Sequence, residues 1–163
     1  TVPELLRRVP DVHVLIVGDG PERQGLERLV AVGGLTASVH FAGYRTDVAD
    51  VLRAADVFVL PTLFDAQPTA IMEAMAAGLP VVSTRITGIP DLIDDGVHGT
   101  LVPADDRAAL ANALIALLED PVWARSLGRA GRERARHEFS MTQQIGKLAK
   151  LYESLVAARE RRP

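Results

Sequence analysis

The chain of 163 residues contains no cysteine. Disulfides, thiolate metal sites and cysteine nucleophiles are therefore excluded, and a reducing compartment is compatible. Lysine is scarce too: Lys147 and Lys150 are the only two among 18 basic residues. Genomic base composition explains that bias, and no function is read from it. Long apolar runs are also missing. The stretches VHVLIVG and DVFVLP are far too short to span a bilayer, and the opening TVPELLRRVP lacks the apolar region of a signal peptide. Neither sign of charge dominates: 18 basic against 21 acidic side chains give a formal charge of −3, which argues against nucleic-acid binding through bulk positive charge. What is present is 48% apolar and 24% charged residues, an ordinary globular balance. The length suits one domain, which would bury roughly 70% of its unfolded surface. The expectation is a soluble, single-domain, cytoplasmic protein with no nucleic-acid partner.

Short β-branched runs alternate with amphipathic stretches. Strands are expected at Val12–Val17, Val39–Ala42, Val57–Leu60, Val81–Thr84 and Thr100–Val102. Helices are expected at Val2–Arg8, from Pro21 to Gly33, at Asp47–Ala55, and from Pro68 to Ala77. Gly78 and Pro80 stop that last one. A short helix follows near Gly88–Ile93. From Asp105 the chain reads as helical, with Leu110, Leu114, Leu117 and Leu118 on one stripe. Asp120-Pro121 opens the next helix, and Ser140 with Gln143 forms a capping box for the last, whose face is Ile145, Leu148, Tyr152 and Leu155. Residues 1–158 form the domain and 159–163 a frayed tail. The fold class is α/β: a doubly wound, Rossmann-like parallel sheet flanked by helices. Its ligands sit at the carboxyl ends of the strands, so loops 18–21, 43–46, 61–69 and 84–90 carry the function.

Familiar chemistry is mostly absent from these loops. GDGPERQG has Arg23 where a dinucleotide fingerprint needs its third glycine, and Pro21 removes an amide. Gly18 and Gly20 permit close backbone approach to a ligand, or simply a tight turn. His13, His40, His98 and His137 form no metal-binding pair, and only His98 is expected near the ligand edge. The arginines Arg125, Arg129, Arg132, Arg134 and Arg136, interleaved with Glu133, read as a solvated helix face. The segment LPTLFDAQPTAIMEAMAAGLPVVST differs. Asp65 lies on a loop and Glu73 on the following helix, near the strand ends. A carboxylate there can accept from both hydroxyls of a ribose. The amides from Thr69 to Ile71 suit a diphosphate or a sugar hydroxyl. A surface Glu in an unremarkable helix would fit the spacing equally well.

Glu73 to Val82, read EAMAAGLPVV, resembles the signature of the retaining group-one glycosyltransferases of GT-B fold. Their pattern is E-x7-E followed by A-M-A-x-G-x-P-V-V. Ala55–Pro61, Phe41–Gly43, Gly88–Asp91, Asp95–Gly99 and Gly18–Pro21 are similar to the family as well, so the likeness runs from about Val12 to Tyr152. The resemblance implies metal-free binding of a nucleoside diphosphate sugar as donor substrate, with no cofactor; no D-x-D is present. It places Glu73 on the ribose hydroxyls and Asp65 at the donor sugar as the catalytic group. Gln67, Pro68, Thr69 and Ala70 would hold the sugar and diphosphate. Gly43 and Tyr44 would lie against the base, with Gly18 nearby.

This chain departs from the pattern in places. Asp65 is one methylene shorter than the family glutamate, Gln67-Pro68 replaces Phe-Gly, and Thr87 and Asp91 replace Gly and Glu. The family's G-R-L-x-x-x-K-G stretch, which neutralises the diphosphate, has no counterpart. Neither does its N-terminal acceptor-binding domain. The chain therefore resembles the donor half of a larger enzyme, inactive alone and peripheral at a membrane in the full protein. Lacking its first strand, the sheet would expose an edge open to self-association. A non-catalytic nucleotide-sugar binding module, or a sugar-nucleotide epimerase on the same scaffold, is the alternative reading.

Overall fold

A computed structural model describes residues 1–160 of the chain, with side chains through residue 157. The five apolar runs form five short strands, β1 Val14–Val17, β2 Val39–Gly43, β3 Phe58–Leu60, β4 Val81–Thr84 and β5 Thr100–Val102. Every pairing between them is parallel. Helices fill the connections: α1 Val2–Arg8, α2 Arg23–Val32, α3 Val48–Ala54, α4 Thr69–Ala77, α5 Ile89–Leu92 and α6 Arg107–Glu119. The chain then runs through α7 Pro121–Arg134, a π-helical turn at Ala135–Phe139, and α8 Met141–Glu160.

The most deeply placed strand is β4, where Val81, Val82 and Ser83 have no exposed surface. Successive strand residues point to opposite faces, and β4 uses both. Val81 packs with Ile71 and Met75 of α4, Ile89 and Leu92 of α5, and Leu52 of α3. Val82 packs with Leu5 of α1, Leu114 and Leu117 of α6, and Leu127 of α7. Burying each such aliphatic side chain contributes roughly 1.5–3 kcal/mol. Helices thus cover both faces of β4, as a central parallel strand requires.

The strands do not form one continuous sheet. One piece has the order β1-β2 and the other β3-β4-β5. No described pairing joins the two pieces. On one face of β1, Leu15 and Val17 are 52% and 42% exposed, and all three residues of β3 are half-buried.

The C-terminal third contains three departures from the sequence reading. First, α7 gives way to the π-helical turn, and Arg134 at that junction turns inward. It pairs with Asp94 (3.0 Å) and Glu138 (3.3 Å), donates to the carbonyl of Asp91 and lies over Phe139. It is a half-buried strut between α7 and the loop before β5, not part of a solvated face. Second, His98 precedes β5, at the amino-end edge of the sheet, opposite the ligand edge expected for it. Third, Ile145, Leu148, Tyr152 and Leu155 of α8 are all at least half-exposed; they share a face, but no described residue buries them. The helix also continues through Glu160, past the boundary expected at residue 159, and residues 161–163 of the expected tail lie outside the described residues. The capping expectation holds in part: the hydroxyl of Ser140 accepts from the amide of Gln143 at 3.4 Å.

His98 titrates in a crowded position. Its Nδ1 faces the Arg134 guanidinium (3.0 Å) and the Asp94 amide (3.3 Å). Burial, and then the charge of Arg134, hold its pKa below the usual 6.5, against the opposing pull of Asp94 and Glu138. The unfolded chain therefore binds this proton more readily than the folded one. The stability contribution is complete above pH 6.5 and is lost as pH falls below it. Thermal unfolding followed from about pH 7.5 to about pH 5 should show a falling midpoint, and His98→Gln should flatten that slope. An unchanged slope in the variant would remove His98 as its source.

Candidate functional site

The site is built outward from β4. Beyond the carboxyl end of β3 the chain enters the irregular segment 61–68, and two buried hydroxyls of β4 hold it. Ser83 Oγ donates to the carbonyl of Leu60 at 2.7 Å, and Thr84 Oγ1 donates to the carbonyl of Thr62. From the other side Gly88 closes on the same segment. A Cβ at Gly88 would stand 1.6 Å from the carbonyl oxygen of Ala66, and its φ is +83°. Only glycine meets both conditions without displacing the loop. Sequence reading named this GIPD stretch as a family likeness but missed its structural duty.

Held this way, the loop presents Asp65 half-buried, with Oδ1 accepting from the amide of Gln67 at 3.1 Å. That turn leads through Gln67, which is exposed, and Pro68, which is buried, into α4. Pro68 occupies the N-cap position and supplies no side-chain acceptor, and no acidic residue lies in the first turn. The amide of Ile71 is used by the carbonyl of Pro68, so it drops out of the expected amide set. The amides of Thr69 and Ala70 have no backbone or side-chain acceptor among the described residues. They form a positive, unsatisfied helix end. Elsewhere Asp106 caps α6 and Asp120 caps α7, while α1, α2, α3 and α5 also have no side-chain cap. Glu73, one turn along α4, is exposed and has no hydrogen bond or ion pair to another described residue.

The remaining predicted residues lie at the ends of β1 and β2. Gly18 donates its amide to the carbonyl of Gly43 at 2.8 Å, tying the loop after β1 to the loop after β2. Tyr44 follows, 80% exposed. Between β1, β2 and the start of α2 lies a cleft of about 390 Å³, floored by Ile16, Phe41 and Leu26 and rimmed by residues 18–23. Arg45 pairs with Asp47 beside it and holds that carboxyl below its ordinary range. The predicted residues thus fall in two groups, Asp65–Glu73 at the end of β3 and Gly18, Gly43 and Tyr44 at the ends of β1 and β2. Among the described residues no group of three or more His, Asp or Glu could hold a metal ion, and no helix is long and apolar enough to cross a membrane.

Residues 1–120 match the family described as Glycosyl transferases group 1. The chain belongs to this family. It is 34% identical over 140 residues to the lipopolysaccharide core biosynthesis glycosyltransferase LpsE of Rhizobium meliloti, covering 86% of this chain and 41% of that protein. It is 36% identical over 170 residues to a GDP-mannose-dependent phosphatidylinositol monomannoside mannosyltransferase of Mycolicibacterium smegmatis, covering 98% of this chain and 44% of that one. Among solved structures, sucrose-phosphate synthase from Thermosynechococcus elongatus superposes with a TM-score of 0.86 at 34% identity, covering 96% of this chain and 42% of that one. Anabaena HepE, solved in complex with UDP, gives 0.87 at 25% identity, covering 94% and 44%. The fold is that of GT-B glycosyltransferases, and the glycosyltransferase chain spans about two fifths of the length of these relatives.

The loop clamp is testable on its own. Gly88→Ala should lower folding stability by about 2 kcal/mol or more, through overlap and a strained φ together. It should also speed chymotryptic cleavage at Phe64, which is already 88% exposed. Melting and cleavage rates equal to those of the parent chain would mean the loop is held some other way.

Proposed function

We propose that this chain is the donor-binding domain of a retaining glycosyltransferase, which moves a sugar from a nucleoside diphosphate sugar to an acceptor held by the rest of the protein. One observation carries the reading: the uncapped N-terminus of α4 stands between two carboxylates, Asp65 before it and the unpartnered Glu73 one turn after it. Free amides attract the diphosphate leaving group. Glu73 offers both oxygens to the vicinal ribose hydroxyls. Asp65 lies toward the sugar, where a fixed carboxylate stabilises positive charge developing at the anomeric carbon. No metal takes part in this scheme. The base rests against Gly43 and Tyr44 at the end of β2. HepE, similar in fold and solved in complex with UDP, supports a nucleotide ligand for this fold.

Half of a cleft does not transfer a sugar, so the chain alone binds donor without turnover, as a cytoplasmic domain whose parent protein works at a membrane surface. An exposed sheet edge would also give copies of the isolated chain a route to self-association. A binding module without catalysis would use the same amides and Glu73 but would not need Asp65.

Titration calorimetry with UDP, GDP and ADP tests the reading. One nucleotide should bind saturably, and Glu73→Ala should weaken it by about 10- to 100-fold, the worth of hydrogen bonds to a charged group. Unchanged affinity would remove the ribose role. In the full-length enzyme Asp65→Asn should cut turnover while leaving nucleotide affinity within about twofold. Equal losses in both would contradict a transition-state role and favour the binding module.

A further inference from the structure

We infer that Arg23 is a specificity-determining residue that selects nucleobases with a carbonyl oxygen at the O4 or O6 position, as in uracil and guanine, over adenine, which has an amino group at that position. The inference rests on the donor-site reading above and concerns the cleft at the ends of β1 and β2, where Arg23 occupies the third-glycine position of GDGPERQG.

The guanidinium is fixed before any ligand arrives. Its Nη1 donates to Asp19 at 3.0 Å and its Nε to Glu27 at 2.8 Å, and the side chain is 32% exposed. A fork pinned on two sides loses little entropy when its remaining N–H groups meet a ligand. Nη2 makes no hydrogen bond to a described residue and is available for one. The fork also reaches over Gly43: a Cβ there would come within 3.0 Å of Nη1. Glycine at position 43 therefore leaves room for the guanidinium at the place where the base is proposed to lie. The floor beneath, Ile16 and Phe41, suits a flat ring.

Charge decides which part of a nucleotide this cleft takes. Two carboxylates surround one guanidinium, so the cluster carries a net negative charge and repels a diphosphate. Pro21 at the turn offers no amide either. A neutral ring is the better occupant, and Arg23 then acts as a directional donor rather than a counter-ion. Guanidinium can only donate. It pairs with O4 of uracil or O6 of guanine, whereas the N6 amino group of adenine sets donor against donor.

The experiment is calorimetric titration of UDP, GDP and ADP into the chain, its Arg23→Met and Arg23→Lys variants, and Glu73→Ala. The native chain should bind UDP or GDP at least about tenfold more tightly than ADP, as a charged hydrogen bond allows. Arg23→Met should erase most of that ratio by weakening the preferred nucleotide, with ADP little changed. Arg23→Lys, which keeps a donor without the fork, should retain part of the ratio, and it serves as the readout if the Met variant does not fold. A purely structural Arg23 would lower all three affinities together and leave the ratio intact, which overturns the inference. A native preference for ADP overturns it as well. Binding lost in Glu73→Ala but indifferent to Arg23→Met keeps the donor site and removes only the role of Arg23. Absence of any nucleotide binding removes the donor-site reading, and the inference with it.

Discussion

Everything at the candidate site hangs from β4. Its four residues are buried and serve three surroundings at once: Val81 the layer of α3, α4 and α5, Val82 the layer of α1, α6 and α7, and Ser83 with Thr84 the loop after β3. Buried hydroxyls cost stability unless paired, and these two are paired to the carbonyls of Leu60 and Thr62. The polar end of an otherwise apolar strand thereby becomes an anchor for the segment carrying Asp65. Gly88 completes the clamp from above. A rigid scaffold below and a loop held at several points is the arrangement a binding site needs.

The strands were legible because a parallel strand covered on both faces is a short, continuous β-branched run, and VVST, FVL and TLV are such runs. Helix α4 was legible from its stop, Gly78 and Pro80. Side-chain direction was not. Arg134 sits in an arginine-rich helix indistinguishable by pattern from a solvated one. What turns it inward is the π-helical turn and the carboxylate of Asp94, about forty residues earlier in sequence. His98 was misplaced for a related reason: connection α5 is a single turn, so the loop after it returns to the amino edge sooner than a full crossover helix would. The Gly18–Gly43 tie and the Arg23 fork needed three-dimensional proximity between β1 and β2, which no local pattern encodes.

The start of α4 is distinctive for its company rather than for lacking a cap. A side-chain N-cap is worth about 1 kcal/mol; α6 and α7 have one from Asp, whereas α1, α2, α3 and α5 do without, as α4 does. At α4 the position holds Pro68, which can neither accept nor donate through its side chain. The preceding loop is rich in polar residues that could have served, Asp65 and Gln67 among them, yet the turn spends Asp65 on the amide of Gln67 instead. What sets this end apart is that its two unsatisfied amides lie between Asp65, already committed to the Gln67 amide, and Glu73, which has no partner among the described residues. Under the donor-binding proposal, a diphosphate would supply the partner those amides lack.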